Sequence, residues 1–344
     1  MTQGGGWRNQ GVRAGAAVAG LALLLPWGDA RGLEITPFRT GNMAPLVQIH
    51  GLPVPDSARI LTQGEGEVSA VADVTNNYTG SSKGTEGATF DGETYRAAME
   101  LRYGLAPGVE AGIEVPLVIH SGGFLDGFIE GFHDVFNFTN GGRDSVHRDR
   151  LLYRYGRDGT DRFRVDDSGG GIGDIRLTGG IQLYDDGAEA PRRLALRGAL
   201  KLPTGDSGRL RGSGGVDFAL WLAASDDYRL GDWGHLTLFA NAGGTVMGDG
   251  HVLENQQRNL AATGVAGLGW SPADWVAVTA QGTWHSSLYS GSDLRMIGND
   301  SLVMTAGFAF ALSERTSLDL ALSEDLNVDT APDVSFHLAL RQRF

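Results

Sequence analysis

The feature that most constrains this chain is an alternation of apolar and polar residues with a period of two. Between Tyr95 and Tyr103 every second residue is apolar, and Arg96, Glu100 and Arg102 occupy the opposite phase. A period of two places the two sets on opposite faces of a β-strand. Apolar side chains on one face and charges on the other indicate a strand that lies between lipid and a polar lumen.

The same alternation returns along the chain in about twelve segments, most of them near the length that a tilted membrane strand needs. The predicted strands are 68–78, 95–103, 109–115, 175–183, 194–202, 216–224, 236–246, 260–270, 276–284, 302–312, 318–322 and 334–344. The sequence therefore predicts an all-β protein, an antiparallel transmembrane β-barrel of about twelve strands. One amphipathic helix is expected in a long extracellular loop.

Composition narrows the class of protein further. The chain has 344 residues, a formal net charge of -13 and no cysteine. Phosphate binding needs a basic surface, so we expect no nucleic-acid partner. The lack of cysteine excludes disulfides and thiolate metal sites, and no two histidines have a zinc-ligand spacing. We therefore expect neither a metal nor a cofactor.

Two segments precede the strands. Residues 1–30 have a positively charged start, an apolar run at 14–25 and a small-residue cleavage site, which predicts a signal peptide that is removed on export. Residues 31–65 form a proline-rich extension, and proline donates no hydrogen bond to a ladder, so this is not a central strand. Two placements remain open for it, a periplasmic linker and a plug inside the lumen. The barrel is assigned to 66–344.

The connections between the predicted strands alternate between short and long. If the amino end of the barrel faces the periplasm, the short connections are periplasmic and the long ones extracellular. The long connections are assigned to 80–92, 121–170, 203–215, 248–257, 288–299 and 325–332. Aromatic residues collect near the short connections, as in an interfacial girdle. They are Tyr103, Tyr184, Tyr228, Trp233, Trp270, Trp275 and Phe344.

The longest connection, 121–170, contains two segments with patterns of their own. Between residues 124 and 138 the apolar residues recur at helical spacing, which predicts an amphipathic helix. This helix either packs on the barrel rim or acts as a gate or lid. The candidate gate residues are Phe124, Phe128, Phe132 and Phe136. The arginine-rich stretch 143–167 predicts a hairpin above the membrane, either a solvated surface or a contact for lipopolysaccharide phosphates.

The last predicted strand indicates where the chain resides. It ends in Phe344 and places Phe336, Leu338 and Leu340 on the same face as that terminal aromatic. This arrangement resembles the signal by which outer-membrane proteins are delivered for insertion. We therefore expect an integral protein of the bacterial outer membrane, with the outer-membrane assembly machinery, membrane lipid and lipopolysaccharide as partners. The oligomeric state stays open.

The polar phase of the strands supplies candidate lumen-lining residues. They are Arg96, Glu100, Arg102, Glu110, Glu114, Asp174, Arg176, Arg197, Lys201, Asp217, Gln281, His285, Asp319, His337 and Arg341. Twelve strands enclose more space than side chains alone easily fill, so a water-filled or plugged lumen is expected. The leading function is a channel or an uptake protein for small solutes, and the phenylalanine-rich segment 124–138 favours hydrophobic ones. The charges can also pair across a closed interior, in which case the barrel is structural or adhesive.

A lipid-modifying enzyme is the alternative from a different class. It rests on His285 and Ser287, which lie two residues apart and so on one strand face. Some outer-membrane lipid hydrolases use serine and histidine on barrel strands. In the predicted register, however, His285 shares its phase with the lumen-facing Gln281 and Thr283, whereas a lipase needs its pair on the lipid side. We therefore favour a polar lining and predict no catalytic residue.

Several short stretches carry a family resemblance. They are Arg39, Asn42, Pro45 and Leu46, then 51–53, 122–126, 171–174, 201–206, 212–214, Asp217 and 332–344. In these stretches the chain resembles the domain-of-unknown-function 3187 family of Gram-negative outer-membrane β-barrel proteins. The stretch 201–206, together with 212–214 and Asp217, also resembles outer-membrane barrels encoded in aromatic-degradation (meta-pathway phenol) gene clusters. The resemblance implies an architecture and a location, and it brings no activity with it.

Overall fold

The described part of the chain forms a β-barrel. The structure is a computed structural model that describes residues 33–123, 150–327 and 329–344. The predicted signal peptide and the predicted helix at 124–138 lie outside these ranges. The strands within them are β1 (Gly66–Lys83), β2 (Glu86–Ala106), β3 (Val109–Ser121), β4 (Leu152–Arg157), β5 (Thr160–Val165), β6 (Gly169–Ile172), β7 (Arg176–Asp185), β8 (Arg192–Lys201), β9 (Asp217–Arg229), β10 (His235–Met247), β11 (Leu260–Ala273), β12 (Val276–His285), β13 (Ser301–Ser313), β14 (Thr316–Asp325) and β15 (Val334–Arg343).

Twelve of the strands in the described ranges close into a ring. Neighbours pair antiparallel in the order β1, β2, β3 and then β7 to β15, and β15 returns to β1, where Val71 lies opposite Ala339. The predicted antiparallel barrel of about twelve strands is confirmed. The hairpin of β4 and β5 extends the sheet beside the upper part of β2. Strand β6 pairs with β3 just above the point where β7 does.

The outer surface of the barrel is an apolar belt. On β2 and β3, Met99, Leu101, Ile113 and Val115 face outward and are exposed, while the alternate residues are buried inside. The predicted interfacial aromatics are exposed near one rim of this belt: Tyr103, Tyr184, Tyr228, Trp233, Trp270, Trp275 and Phe344. An apolar belt edged by aromatic rings is the surface that a membrane barrel presents to lipid.

The two rims of the barrel differ in their connections. At one rim the strands are joined by short turns at 107–108, 186–191, 230–234, 274–275 and 314–315. Because short turns are periplasmic in bacterial barrels, we call this the periplasmic rim and the opposite one the extracellular rim. The prediction of a loop at 80–92 was wrong, because β1 and β2 extend through these residues and meet at a tight turn at Gly84 and Thr85. Strand β14, predicted as 318–322, spans Thr316–Asp325.

Helical structure is scarce in the described ranges. One turn of α-helix, Arg295–Gly298, lies in the extracellular connection between β12 and β13, and short 3-10 turns lie at Ser207–Arg209 and Gly231–Trp233. None of the helices in the parts of the chain described here is both long and apolar enough to cross a membrane. The hairpin predicted within 143–167 is present as β4 and β5.

The interior of the barrel has two layers. Near the extracellular rim, Leu46, Val47 and Ile49 of the segment before β1 pack into an apolar cluster with loop and strand residues. Its other large members are Phe90, Leu151, Tyr153, Tyr155, Leu210, Met247, Leu253, Leu288, Tyr289, Leu294 and Ile297. Below this extracellular cluster the interior is polar, because the inward phase of the strands carries charged and hydroxyl side chains.

Candidate functional site: the plugged lumen

Residues 33–65 run inside the barrel, and we call this segment the plug. Leu33 donates its backbone N–H to a periplasmic turn, Asn42 contacts the upper end of β12, and Leu61 donates to β3 near the periplasmic rim. The plug therefore ascends through the lumen, turns over at 44–52, and descends again. We call 44–52 the tip. Of the two placements that the sequence leaves open, the lumen is the one observed.

Wall side chains hold the ascending arm of the plug through its backbone. The amide of Gln281 on β12 accepts the N–H of Phe38 at 2.8 Å and donates to the Phe38 carbonyl at 3.0 Å, as a neighbouring strand would. Higher up, the amide nitrogen of Asn42 lies 3.0 Å from His285 Nε2 and 2.9 Å from Ser301 Oγ. The ascending arm is thus fixed at two levels against β12 and β13.

A buried lysine and two aspartates hold the far side of the tip. Lys201 Nζ lies 2.6 Å from Asp174 and 3.2 Å from Asp217, and it donates to the Ile49 carbonyl at 3.2 Å. The N–H of Gly51 donates to Asp217 at 2.7 Å. A Cβ atom at Gly51 would lie only 2.8 Å from the Cβ of Asp217, so this close approach requires glycine.

Ion pairs join the plug to the wall in the middle of the lumen. Arg39 Nη1 pairs with Asp56 at 2.5 Å, which links the two arms of the plug, and Arg39 Nη2 pairs with Glu100 of β2 at 2.8 Å. Asp56 also lies 3.5 Å from Arg102 and 3.4 Å from Arg197 of the wall. A buried charge is tolerated only when it is paired, so these contacts set the position of both arms.

Further ion pairs next to these join residues of the barrel wall to one another and do not involve the plug. Arg102 pairs with Glu67 and, at 3.2 Å, with Glu110, and Arg197 pairs with Glu110 at 2.7 Å. We call Arg39, Asp56, Glu67, Glu100, Arg102, Glu110 and Arg197 together the central ion network. Each wall arginine of the network thus has a wall carboxylate as partner, whereas the salt bridge found for Glu100 within the described residues is the one to Arg39 of the plug.

Cavities remain on both sides of the central ion network. A vestibule of about 560 Å³ at the periplasmic rim is lined by Leu33, Glu34 and Arg59 of the plug and by turn residues such as Arg193 and His235. A second cavity of about 70 Å³ lies between the plug and the wall in mid-lumen. Two smaller ones measure about 10 Å³ and 20 Å³. The plug thus separates a periplasmic vestibule from the extracellular apolar cluster.

The structure places all the predicted lumen-lining residues on the inward face. Thirteen are buried, namely Glu100, Arg102, Glu110, Glu114, Asp174, Arg197, Lys201, Asp217, Gln281, His285, Asp319, His337 and Arg341. Arg96 and Arg176 are partly buried. Instead of lining an open bore, most contact the plug or one another, and their contact with a solute stays a prediction. The gate candidates Phe124, Phe128, Phe132 and Phe136 lie outside the described residues.

The structure does not bring His285 and Ser287 together as a catalytic pair. Ser287 Oγ donates to the carbonyl of Tyr289 at 2.6 Å, whereas His285 Nε2 faces Asn42 of the plug. Both side chains are buried inside the barrel, away from the lipid belt. Among the described residues, no cluster of His, Asp and Glu could hold a metal ion. This geometry suits a polar lining that contacts the plug.

Sequence reasoning missed several buried residues of the plugged lumen, some on the wall and some that join the plug to it. Glu67 and Asp73 lie on the inward phase of β1, where the alternation with Val68 and Val74 could have identified them. Nothing in the sequence marks Asp56 or Tyr289 in the same way, because their partners lie far away along the chain. The plug lacks any periodicity, so its contacts could not be read from pattern.

His50 lies at the tip as a fully buried imidazole. Burial, with smaller effects from Lys201 and His285, lowers the pKa of His50 from 6.5 to about 3. Its Nε2 lies 2.8 Å from Tyr289 OH, and its Nδ1 is 3.9 Å from Asp217. In a released plug the imidazole is in water and titrates near its ordinary pKa, about 6.5. Only the released state therefore takes up a proton between these two values, so docking weakens as pH falls from 6.5 towards 3.

We predict that the docked-to-released ratio falls by about tenfold per pH unit below 6.5, as measured by single-channel open probability between pH 7 and 5. A His50→Gln variant should weaken this dependence, although His285, which also contacts the plug, is still present. His251 is exposed in an extracellular connection, so a His251→Gln variant should keep it. An open probability that is flat between pH 7 and 5 in the parent protein would contradict the prediction.

Comparisons with known proteins agree with this architecture. The fold is similar to the COG4313 outer membrane channel from Pseudomonas putida, with a TM-score of 0.52 and 14% sequence identity, covering 83% of this chain and 98% of that one. At this identity the similarity concerns the fold alone. No curated protein matches the chain significantly.

Other barrels are more distant. The translocator domain of the autotransporter NalP from Neisseria meningitidis is 10% identical, with a TM-score of 0.39 and coverage of 83% of this chain and 90% of that one. The toluene transporter TbuX from Ralstonia pickettii is 12% identical, with a TM-score of 0.34 and coverage of 92% and 97%. Neither TM-score is high enough to support an argument. The sequence profile for proteins of unknown function DUF3187 matches residues 20–344. The chain therefore belongs to the DUF3187 family.

Proposed function

We propose that this protein is an outer-membrane channel for small solutes, exported with a cleaved signal peptide and closed by its plug. One observation carries the proposal: the lumen is filled by a chain segment that the wall holds through noncovalent contacts. Side chains of a barrel that only served as a rigid structure could fill the space directly. A segment that threads in and out of the lumen is instead a removable obstruction. The shared fold with a protein described as an outer membrane channel adds support.

The composition of the two lumen ends supports a class of solute. The extracellular end is apolar and aromatic, with Phe90, Tyr153 and Tyr155 packed around the tip. A charged solute would lose its hydration there without gaining a partner. The middle of the lumen carries charges that already pair with one another. Uncharged solutes with some apolar surface therefore fit the proposed route best.

Two alternatives have less support. A closed structural or adhesive barrel would explain the paired charges, but it gives no reason for a plug whose contacts are separable from those of the wall. A lipid-modifying enzyme would need a reactive pair near the lipid, whereas Ser287 and His285 are engaged elsewhere in the interior. Contact with lipopolysaccharide through the exposed arginines of the β4–β5 hairpin remains part of the proposal.

Deletion of residues 33–61 tests the channel. The variant keeps β1 from Gly66 and the ion pairs that the wall makes alone, so we expect a folded barrel. In planar bilayers the deletion variant should show a steady conductance well above that of the full chain, because the lumen loses its obstruction.

Folding is checked first, by the strand content and by the heat-dependent shift in electrophoretic mobility. A folded deletion variant that carries no current and passes no uncharged solute would refute the channel. A deletion variant of unchanged conductance relative to a conducting full chain would show that the solute route bypasses the plug.

A further inference from the structure

The mid-lumen cavity between the plug and the wall has the features of a binding site. It measures about 70 Å³ and lies between the plug and polar residues of the wall. The plug contributes the apolar Met43, Val47, Leu52, Pro53 and Val54 and the polar Arg39, Thr40, Asn42, Gln48 and His50. The wall contributes Asp73, Arg96, Arg176, Thr263, Thr283 and His285.

Five buried polar atoms around this cavity make no hydrogen bond to any described protein atom. They are Thr40 Oγ1, His50 Nδ1, Asp73 Oδ2, Thr263 Oγ1 and Thr283 Oγ1. Their residues are between 1% and 6% exposed. Burying a polar group without a partner costs free energy, and native structures rarely leave such groups unpaired. Five of them around one cavity therefore point to a guest that hydrogen bonds to them.

The charges around the cavity favour an uncharged guest. Arg39 is engaged by Asp56 and Glu100, and Arg96 and Arg176 both lie against Glu114, so no guanidinium remains free to bind an anion. A cation would face these arginines. Of the five atoms, Asp73 Oδ2 is an acceptor that also lies 3.7 Å from Arg96, and His50 Nδ1 donates or accepts according to its tautomer. The other three are hydroxyls that can donate or accept. A neutral hydroxyl compound, which also donates and accepts, matches this set.

The volume limits the size of the guest. One water takes about 30 Å³ of liquid and needs a cavity of at least about 10–15 Å³, and an engineered cavity of about 150 Å³ holds benzene. We propose that the mid-lumen cavity binds small neutral hydroxyl molecules, either two or three waters or one short diol, that bridge the plug to β1, β11 and β12. This proposal goes beyond the channel, because it concerns the docked plug whether or not the barrel conducts.

The proposed site is tested by whether threonine-to-valine substitutions around the cavity lower or raise the unfolding temperature. If a guest bonds to the hydroxyls, Thr283→Val and Thr263→Val each remove a hydrogen bond and lower the unfolding temperature, by roughly 2 °C or more. If nothing binds, the same substitutions replace an unpaired buried hydroxyl with a methyl group and raise it. Valine keeps the shape and the strand preference of threonine, so folding is preserved.

Thr178 supplies the matched control. Its hydroxyl is also without a hydrogen-bond partner, but it faces the cavity of about 10 Å³, at the lower limit for one water. Thr178→Val should therefore leave the unfolding temperature unchanged or raise it. The inference is overturned if both cavity variants behave like this control.

Ethylene glycol, used as the probe, distinguishes the two sources of the hydroxyl group. If the diol binds, the difference in unfolding temperature between the parent and Thr283→Val grows with diol concentration, while the Thr178→Val difference does not. If the difference does not depend on the diol, the guest is water. A folded plug-deletion variant that carries no current and passes no solute would refute the channel, but it would not alter the direction of these changes in unfolding temperature. Failure of the proposed channel can therefore be distinguished from failure of the proposed binding site.

Discussion

A Gly41→Cys/Thr283→Cys variant is expected to lose conductance by more than about tenfold on oxidation and to regain it on reduction. A Cβ atom built at Gly41 on the ascending arm meets only Thr283 Cγ2 of β12, at 3.8 Å. That Cγ2 atom stands where the sulfur of a cysteine at 283 can lie, and in a disulfide this sulfur lies about 3 Å from the Cβ atom of its partner. The two residues must therefore approach by somewhat less than about 1 Å before the bond closes. Because the chain has no cysteine of its own, this is the one disulfide that can form within a molecule.

The physical reason for the large effect is that the bond removes the released state. Hydrogen bonds and ion pairs hold the plug reversibly, so thermal motion samples both docked and released positions. A covalent link to β12 holds the ascending arm in place. The measurement is bilayer current through one preparation before and after a reductant is added. Oxidation of the same protein should also abolish the acid-induced opening assigned to His50.

Single-cysteine controls show whether the disulfide bond, and not oxidation or the substitutions themselves, causes the loss of conductance. The single variants Gly41→Cys and Thr283→Cys, treated with the same oxidant, should each keep the conductance that they had before oxidation. Mass spectrometry establishes how much of the double variant carries the bond. Undiminished current through fully bonded protein would mean that solutes pass without displacement of the ascending arm, and the plug would then be a fixed part of the wall.

The barrel itself could be predicted from sequence because its walls obey a local rule. Residues such as Met99 and Leu101 face lipid, and Glu100 between them faces the lumen, so every strand in the bilayer carries the same alternation. The rule fails where the surroundings change. The upper parts of β1 and β2, within 80–92, stand above the membrane, so neither face needs to be apolar, and the stretch was assigned to a loop.

The plug could not be predicted in the same way, because nothing local determines its path. Phe38 meets Gln281 and Asn42 meets Ser301 across more than two hundred residues of chain. Prolines such as Pro53 and Pro55 exclude a central strand, but they suit a linker and an extended arm equally well. The phase of each wall residue was predictable, whereas its partner on the plug depends on tertiary packing.

Loss of Arg102 is expected to destabilise the barrel more than the loss of most other charges. Arg102 is 6% exposed, and its guanidinium contacts Glu67, Glu110 and Asp56. Arg102→Met leaves these three carboxylates with one positive charge fewer in the interior. Removing one partner from a buried ion pair costs about 3–5 kcal/mol, mainly because the remaining charge stays desolvated. Equilibrium unfolding in urea with the protein in lipid vesicles, followed by tryptophan fluorescence, measures the loss.

Two comparison variants identify the cause. Arg164→Met removes an exposed arginine that pairs with Asp166, and exposed pairs contribute little, so no measurable change is expected. The double variant Arg102→Met/Glu110→Met removes one charge of each sign and should recover part of the lost stability, because the interior regains its balance. If Arg102→Met were no more harmful than Arg164→Met, water would be reaching the central ion network. The lumen would then be hydrated throughout, and the plug would obstruct solutes without excluding solvent.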